Sequence, residues 1–103
     1  MSIDVLLQIE SLLRELINIL SAEHEKNWVA GLRGLISDVE SVKRGNISID
    51  EGLREIAYNY RLMAIGSGSF SDWHVWRDDF SQRISANQRL DEVRRNLWNA
   101  LIG

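Results

Sequence analysis

The sequence predicts an all-α fold: one domain spanning residues 1–103, an antiparallel four-helix bundle with an elaborated Gly/Ser/aromatic connection between its third and fourth helices. Three observations carry this. Apolar residues recur at intervals of three and four along separate stretches of the chain. No proline interrupts them. The one stretch without helical spacing, "GSGSFSDW" (Gly66 to Trp73), concentrates glycines, serines and two aromatic rings in a short span, as a connection between helices does.

The first helix is expected over about residues 3–21. Its polar residues Asp4, Gln8, Ser11, Glu15 and Asn18 form one narrow stripe, and nearly everything else is apolar. Such a helix is expected to be the most buried, either central to the bundle or part of a dimer interface. The second is expected over about 24–44, burying Trp28, Leu32, Leu35, Val39 and Val42, with Gly45 as its stop. Gly31 and Gly34 lie inside it and suggest a close helix crossing there. The third is expected over about 49–63. Ser48 and Glu51 have capping-box spacing, and Leu53, Ile56, Ala57 and Tyr60 form its buried face. The segment "SDWHVWRDDF" is ambiguous, because Trp73, Trp76 and Phe80 are helically spaced while Trp73 and Val75 alternate as in a strand; a short irregular helical turn is expected. The last helix is expected over about 87–101, with Ser85 and Gln88 as a second capping box and Leu90, Val93, Leu97, Ala100 and Leu101 facing inward.

The chain is 45% hydrophobic and 26% charged, a globular balance rather than a disordered one. It has no cysteine, which excludes disulfides, zinc–thiolate sites and thiol catalysis. A net charge of −3 does not provide the basic face of a nucleic-acid binder. Asp4 and Glu10 fall where a signal peptide would be apolar, and no apolar run reaches membrane-spanning length, so a cytoplasmic protein with no membrane partner is expected.

The Gly-rich segment lacks the Lys of a phosphate-binding P-loop, and Ser71 stands where a dinucleotide fingerprint needs its third glycine. Gly66, Gly68, Ser69 and Phe70 are therefore read as a structural loop, with a positive φ at Gly66 or Gly68 and Phe70 buried as a plug between the third and fourth helices. His24 and His74 are the only histidines and no metal-ligand spacing surrounds them, so neither a metal site nor any cofactor is expected. Ser67, Ser69, Ser71, Asp72 and His74 supply the residue types of a nucleophilic site, but no strand-to-helix elbow presents one. Arg89, Arg94 and Arg95, interleaved with Asp91 and Glu92, read as a solvated, salt-bridged face. Recognition remains. Trp73 and Trp76, with Asp72, His74, Asp78 and Asp79 around them, make an acidic–aromatic segment suited to a protein partner, with Glu23 and Glu25 adding acidity.

At "MAIGSGSFSDW" the chain resembles a family of small uncharacterised bacterial helical proteins marked by G-x-G-S-F-x-D after the third helix. Gly66, Gly68, Ser69, Phe70 and Asp72 match it, and Trp28 and the final helix "LDEVRRNLWNAL" are similar to its other marks. Ser67 and the Trp73-His74 pair depart from the pattern. The resemblance implies an immunity-protein-like factor that acts without catalysis by binding a toxin or effector enzyme. The alternatives are a phage- or plasmid-borne inhibitor of a host system, or a small enzyme or ligand-binding bundle using Asp72 and His74. Either a monomer or a homodimer fits this reading.

Overall fold

The structure, a computed structural model, describes residues 3–65 and 68–103. Gly66 and Ser67 lie outside them, so the expectations at those two positions do too. Among the described residues there are four helices, α1 (Ile3–Ala22), α2 (Asn27–Lys43), α3 (Ile49–Ala64) and α4 (Phe80–Leu101), and a 3₁₀ turn (Phe70–Asp72) between the last two. No strand occurs among the described residues.

Helix direction alternates. Glu10 and Arg14 of α1 reach Lys43 and Glu40 near the end of α2, and Glu15 of α1 reaches Arg89 of α4. The result is an elongated bundle of 47 × 23 × 22 Å. α1 lies between α2 and α4, and α3 packs on α2, while α3 touches both α1 and α4 only sparsely. Leu6, Ile9, Leu13, Leu16 and Leu20 of α1 are fully buried at three- and four-residue spacing. Val39, Leu32, Ile56, Leu90, Val93 and Leu97 meet them from the other helices. The rest of α1's apolar surface is only partly covered, and Ile3 and Leu7 remain exposed.

Local chemistry fixes the helix ends. Ser48 Oγ accepts the Glu51 N–H at 3.1 Å and starts α3 as the capping spacing predicts. Gly45, at φ +79°, closes α2: its N–H donates to the Val42 carbonyl, and the Asn46 N–H to that of Ser41. The same paired bonds close α1, but there the left-handed position is His24, at φ +59°. The Glu25 carboxylate then accepts the N–H groups of Asn27 and Trp28, both at 2.8 Å, so α2 begins at Asn27 rather than residue 24.

Two expectations are corrected. α4 begins at Phe80, capped by Asp79, whose carboxylate accepts the Gln82 N–H at 2.9 Å. Ser85 and Gln88 lie inside the helix rather than at its start. The physical reason is that Phe80 and Ile84 point to solvent, so the inward-facing pattern visible in the sequence begins only with Leu90. The close helix crossing is also elsewhere. A side chain at Gly34 would meet nothing, and one at Gly31 would meet only the flexible end of Met63. Gly52 of α3 is the tight position, where an added Cβ would run into Val42 of α2.

Gly52→Ala is therefore expected to destabilise the fold by about 1–3 kcal/mol through overpacking. Gly34→Ala is expected to stabilise it by up to about 1 kcal/mol through helix propensity. Denaturant unfolding of the two variants beside the wild type checks the contrast.

Candidate functional site

The connection from α3 to α4 is built around Phe70, which is fully buried. Its ring lies 5.9 Å from Trp28 of α2 and 6.3 Å from Tyr60 of α3, the latter edge-on. Arg94 of α4 sits 5.3 Å from the ring centroid and is itself only 8% exposed. Its guanidinium donates to the main-chain carbonyls of Phe70 at 2.7 Å and Trp73 at 2.8 Å, and to Asp91 at 2.8 Å. Arg94 is thus not part of a solvated face: a buried cation spends its fork on the Trp73 carbonyl, and on the Phe70 carbonyl beside the Trp73 N–H that also bonds it. Arg89, by contrast, makes the expected surface pairs with Glu15 and Glu92.

The serines of the motif have structural partners. Ser69 and Ser71 both donate their hydroxyls to the Ala64 carbonyl, at 3.0 and 2.6 Å, satisfying an orphan acceptor at the end of α3. Gly68 adopts φ +74°, and its N–H donates to the Asp72 carboxylate at 2.6 Å. His74 approaches the Asp72 main-chain carbonyl through Nδ1 at 3.0 Å, and its Nε2 lies 3.4 Å from Arg94. With Nδ1 carrying the hydrogen, the ring donates to that carbonyl and accepts from Arg94. The Asp72 carboxylate and the His74 ring thus each contact other groups rather than each other.

The helical turn expected over the next residues is confined to Phe70–Asp72; beyond it residues 73–77 form no regular element, and Trp73 has extended dihedrals. Alternation decides which side chains go in. Trp73 is half-buried, His74 exposed, Val75 buried and Trp76 exposed. Asn87 of α4 pairs with the extended backbone as a neighbouring strand would: its Oδ1 accepts the Val75 N–H at 2.7 Å, and its Nδ2 donates to the Val75 carbonyl at 2.8 Å. Arg77 closes the far end with a two-pronged bond to Glu23, both contacts at 2.7 Å. Arg77 holds the Glu23 carboxyl below the usual carboxylate range, against the opposing effect of desolvation. Glu23 and Glu25 therefore serve a tie and a helix cap.

What faces solvent is an apolar strip. Trp76, Phe80 and Ile84 are 66%, 67% and 53% exposed at four-residue spacing. The Arg83 guanidinium stacks 3.8 Å from the Trp76 ring centroid and 5.8 Å from that of Phe80, and its Nε donates to the Arg77 carbonyl at 3.0 Å. Trp76 Nε1 reaches Asp78 at 3.3 Å. Asp78 and Asp79 lie exposed beside the strip, and an open groove of about 440 Å³, lined by Arg83, Ile84, Asn87, Gln88 and Asp91, runs along its helical end. Sequence reasoning singled out Trp76, Asp78 and Asp79 but missed Ile84, Arg83 and Asn87. The i, i+4, i+8 spacing of Trp76, Phe80 and Ile84 was the available signal.

Among the described residues, no group of three His, Asp or Glu side chains is placed to hold a metal ion, and no helix is long and apolar enough to cross a membrane. Comparison with protein-family models, curated proteins and solved structures finds no match to this chain.

Two predictions follow from the connection's anchors. Phe70→Ala should cost about 3–5 kcal/mol by emptying the plug. Arg94→Met should cost about 1–3 kcal/mol by stranding the Trp73 carbonyl and removing one of two donors at the Phe70 carbonyl, with a red shift of tryptophan emission as Trp73 loosens. Denaturant unfolding followed by fluorescence measures both. A third concerns pH. A carboxyl whose folded pKa is depressed contributes stability above its ordinary value, 4.5 for Glu23, and loses it as pH falls through the folded value. The thermal midpoint should therefore drop more steeply on acidification below 4.5 in the wild type than in Glu23→Gln, read from melts across that range.

Proposed function

We propose that the chain is a non-enzymatic protein-binding module, an immunity protein that neutralises a toxin by direct binding, with Trp76, Phe80 and Ile84 as its anchor. The observation that carries this reading is that a large aromatic side chain, exposed over two thirds of its surface, is held in place by a stacked guanidinium and a hydrogen bond to Asp78. A ring fixed before binding loses little conformational freedom on docking, which is the property of an interface anchor. The hydroxyls and the Asp72 carboxylate of the motif have structural partners, which favours recognition over catalysis.

The partner's chemistry follows from the rim. Asp78 and Asp79 border the strip on a chain of net charge −3, so the complementary surface is an apolar cleft with a basic edge. Toxic enzymes that act on nucleic acid carry such clefts because they must hold phosphates. The resemblance of the G-x-G-S-F-x-D segment to immunity-protein-like sequences supports the same reading.

The test is a binding titration against the product of the neighbouring gene. Trp76→Ala should weaken binding about 30-fold, mainly by faster dissociation. Asp78→Lys combined with Asp79→Asn, which keeps a capping side chain on α4, should slow association and flatten its salt dependence. Variants that melt like the wild type and still bind unchanged would remove this site from the interface.

A further inference from the structure

Arg83 fastens the exposed strip and still has donors free. Its guanidinium carbon lies 3.8 Å from the Trp76 ring centroid and 5.8 Å from that of Phe80, and its Nε donates to the Arg77 carbonyl at 3.0 Å. Among the described residues its two terminal nitrogens have no hydrogen-bond partner, and no ion pair includes it. The charged groups around it are engaged elsewhere. Asp78 accepts from Trp76 Nε1 and Asp79 from the Gln82 N–H. Asp91, which lines the same groove, accepts from Arg94, and Arg77 is bonded to Glu23.

In water a guanidinium needs no protein partner. Once covered, it does, because donors that lose water without gaining an acceptor are costly. Arg83 touches both rings of the strip and lines the groove at its helical end, so no surface can seat Trp76, Phe80 and Ile84 without also covering Arg83. The two terminal nitrogens form a planar fork that matches both oxygens of one carboxylate. Main-chain carbonyls would satisfy the hydrogens but leave the charge unmatched. The stack on Trp76 and the Nε bond fix the plane of the fork beforehand, so little freedom is lost when an acid meets it.

We propose that Arg83 is the specificity-determining residue of the strip, and that the protein partner places a carboxylate side chain on its terminal nitrogens inside the apolar cleft that takes Trp76. This rests on the reading of the strip as an interface and adds a charge pattern to the partner. The partner's edge is basic opposite Asp78 and Asp79, and an acid stands within the cleft opposite Arg83. Such a pattern discriminates: a cleft that is basic throughout would press a cation against a covered Arg83 and be rejected.

The test has two arms. The first needs no partner. Phenylacetate, titrated at constant ionic strength, should shift the Nε–Hε NMR signal of Arg83, identified by its loss in Arg83→Met, saturably and in the millimolar range. Phenylacetamide, which has the same ring and no charge, should leave that signal in place. The second arm uses the product of the neighbouring gene. Arg83→Met should weaken its binding about 100-fold, because the partner's acid is left covered and unpaired. One Asp→Asn or Glu→Gln change in the partner should reduce that cost to about threefold, the remainder coming from the lost stack on Trp76. Arg83→Lys keeps the charge without the fork and should recover only part of the affinity. Thermal melts confirm folding. Equal shifts with the acid and the amide, or none with either, overturn the proposal. So does a partner that loses affinity for Trp76→Ala yet binds Arg83→Met as tightly as the wild type, an outcome that keeps the strip as the interface. Unchanged binding of Trp76→Ala removes the interface and the partner's acid together.

Discussion

Arg94 holds the one part of this molecule that helix packing does not. α3 and α4 touch only sparsely, and the space between them near the connection is filled by a side chain from neither: Phe70. A ring there is stable only if the chain on both sides of it is satisfied. Arg94 donates to the carbonyls of Phe70 and Trp73, while Ser69 and Ser71 donate to that of Ala64. The backbone of the connection is thereby tied to two helices at once. The cost of burying a guanidinium is offset by its bonds to two carbonyls and a carboxylate, and by its contact with the ring beneath it.

The consequences run outward from that point. Once Phe70 is seated, the chain leaves the core extended, and alternation sends Val75 in and Trp76 out. Asn87 and the Arg77–Glu23 tie then set where the segment crosses the end of the bundle. α4 starts earlier than its inward-facing residues require, and its first turns carry Phe80 and Ile84 into solvent. The exposed strip is thus a by-product of how the connection is fastened, and it is as firmly placed as the fastening.

Charge is distributed with the same logic. Glu10, almost buried, is held by Arg14 and Lys43, whose bonds keep its carboxyl below the usual range and clamp α1 to α2. Glu15 and Arg89 do the corresponding work between α1 and α4. Among the described residues α3 has no such ion pairs: tight packing of Gly52 against Val42 binds it to α2, and Arg54, Glu55 and Arg61 are exposed. The two surfaces that expose large apolar side chains therefore differ in kind. One is a rigid aromatic ridge with an acidic border; the other is a helix face on which Glu51, Arg54, Glu55 and Arg61 surround Tyr58, Leu62 and Ile65.

The sequence by itself determined the four helices, because a three- and four-residue apolar period has one economical solution and Ser48, Gly45 and the lack of proline mark its ends locally. It also determined that Phe70 is buried and that Gly66 or Gly68 takes a left-handed conformation, as Gly68 does, since few residues suit either position. What only the tertiary structure decided are the matters that depend on residues far apart in the chain. Nothing near Arg94 in sequence distinguishes it from Arg89, yet one is buried against Phe70 and the other is a surface pair, because only one faces the gap beside α3. Trp73 and Trp76 are equally apolar, and which of them meets solvent follows from an extended backbone that Asn87, eleven residues beyond Trp76, holds in place. Helix periodicity is local and legible; the partner that claims a given polar group is not, because it is chosen by where the helices come to rest.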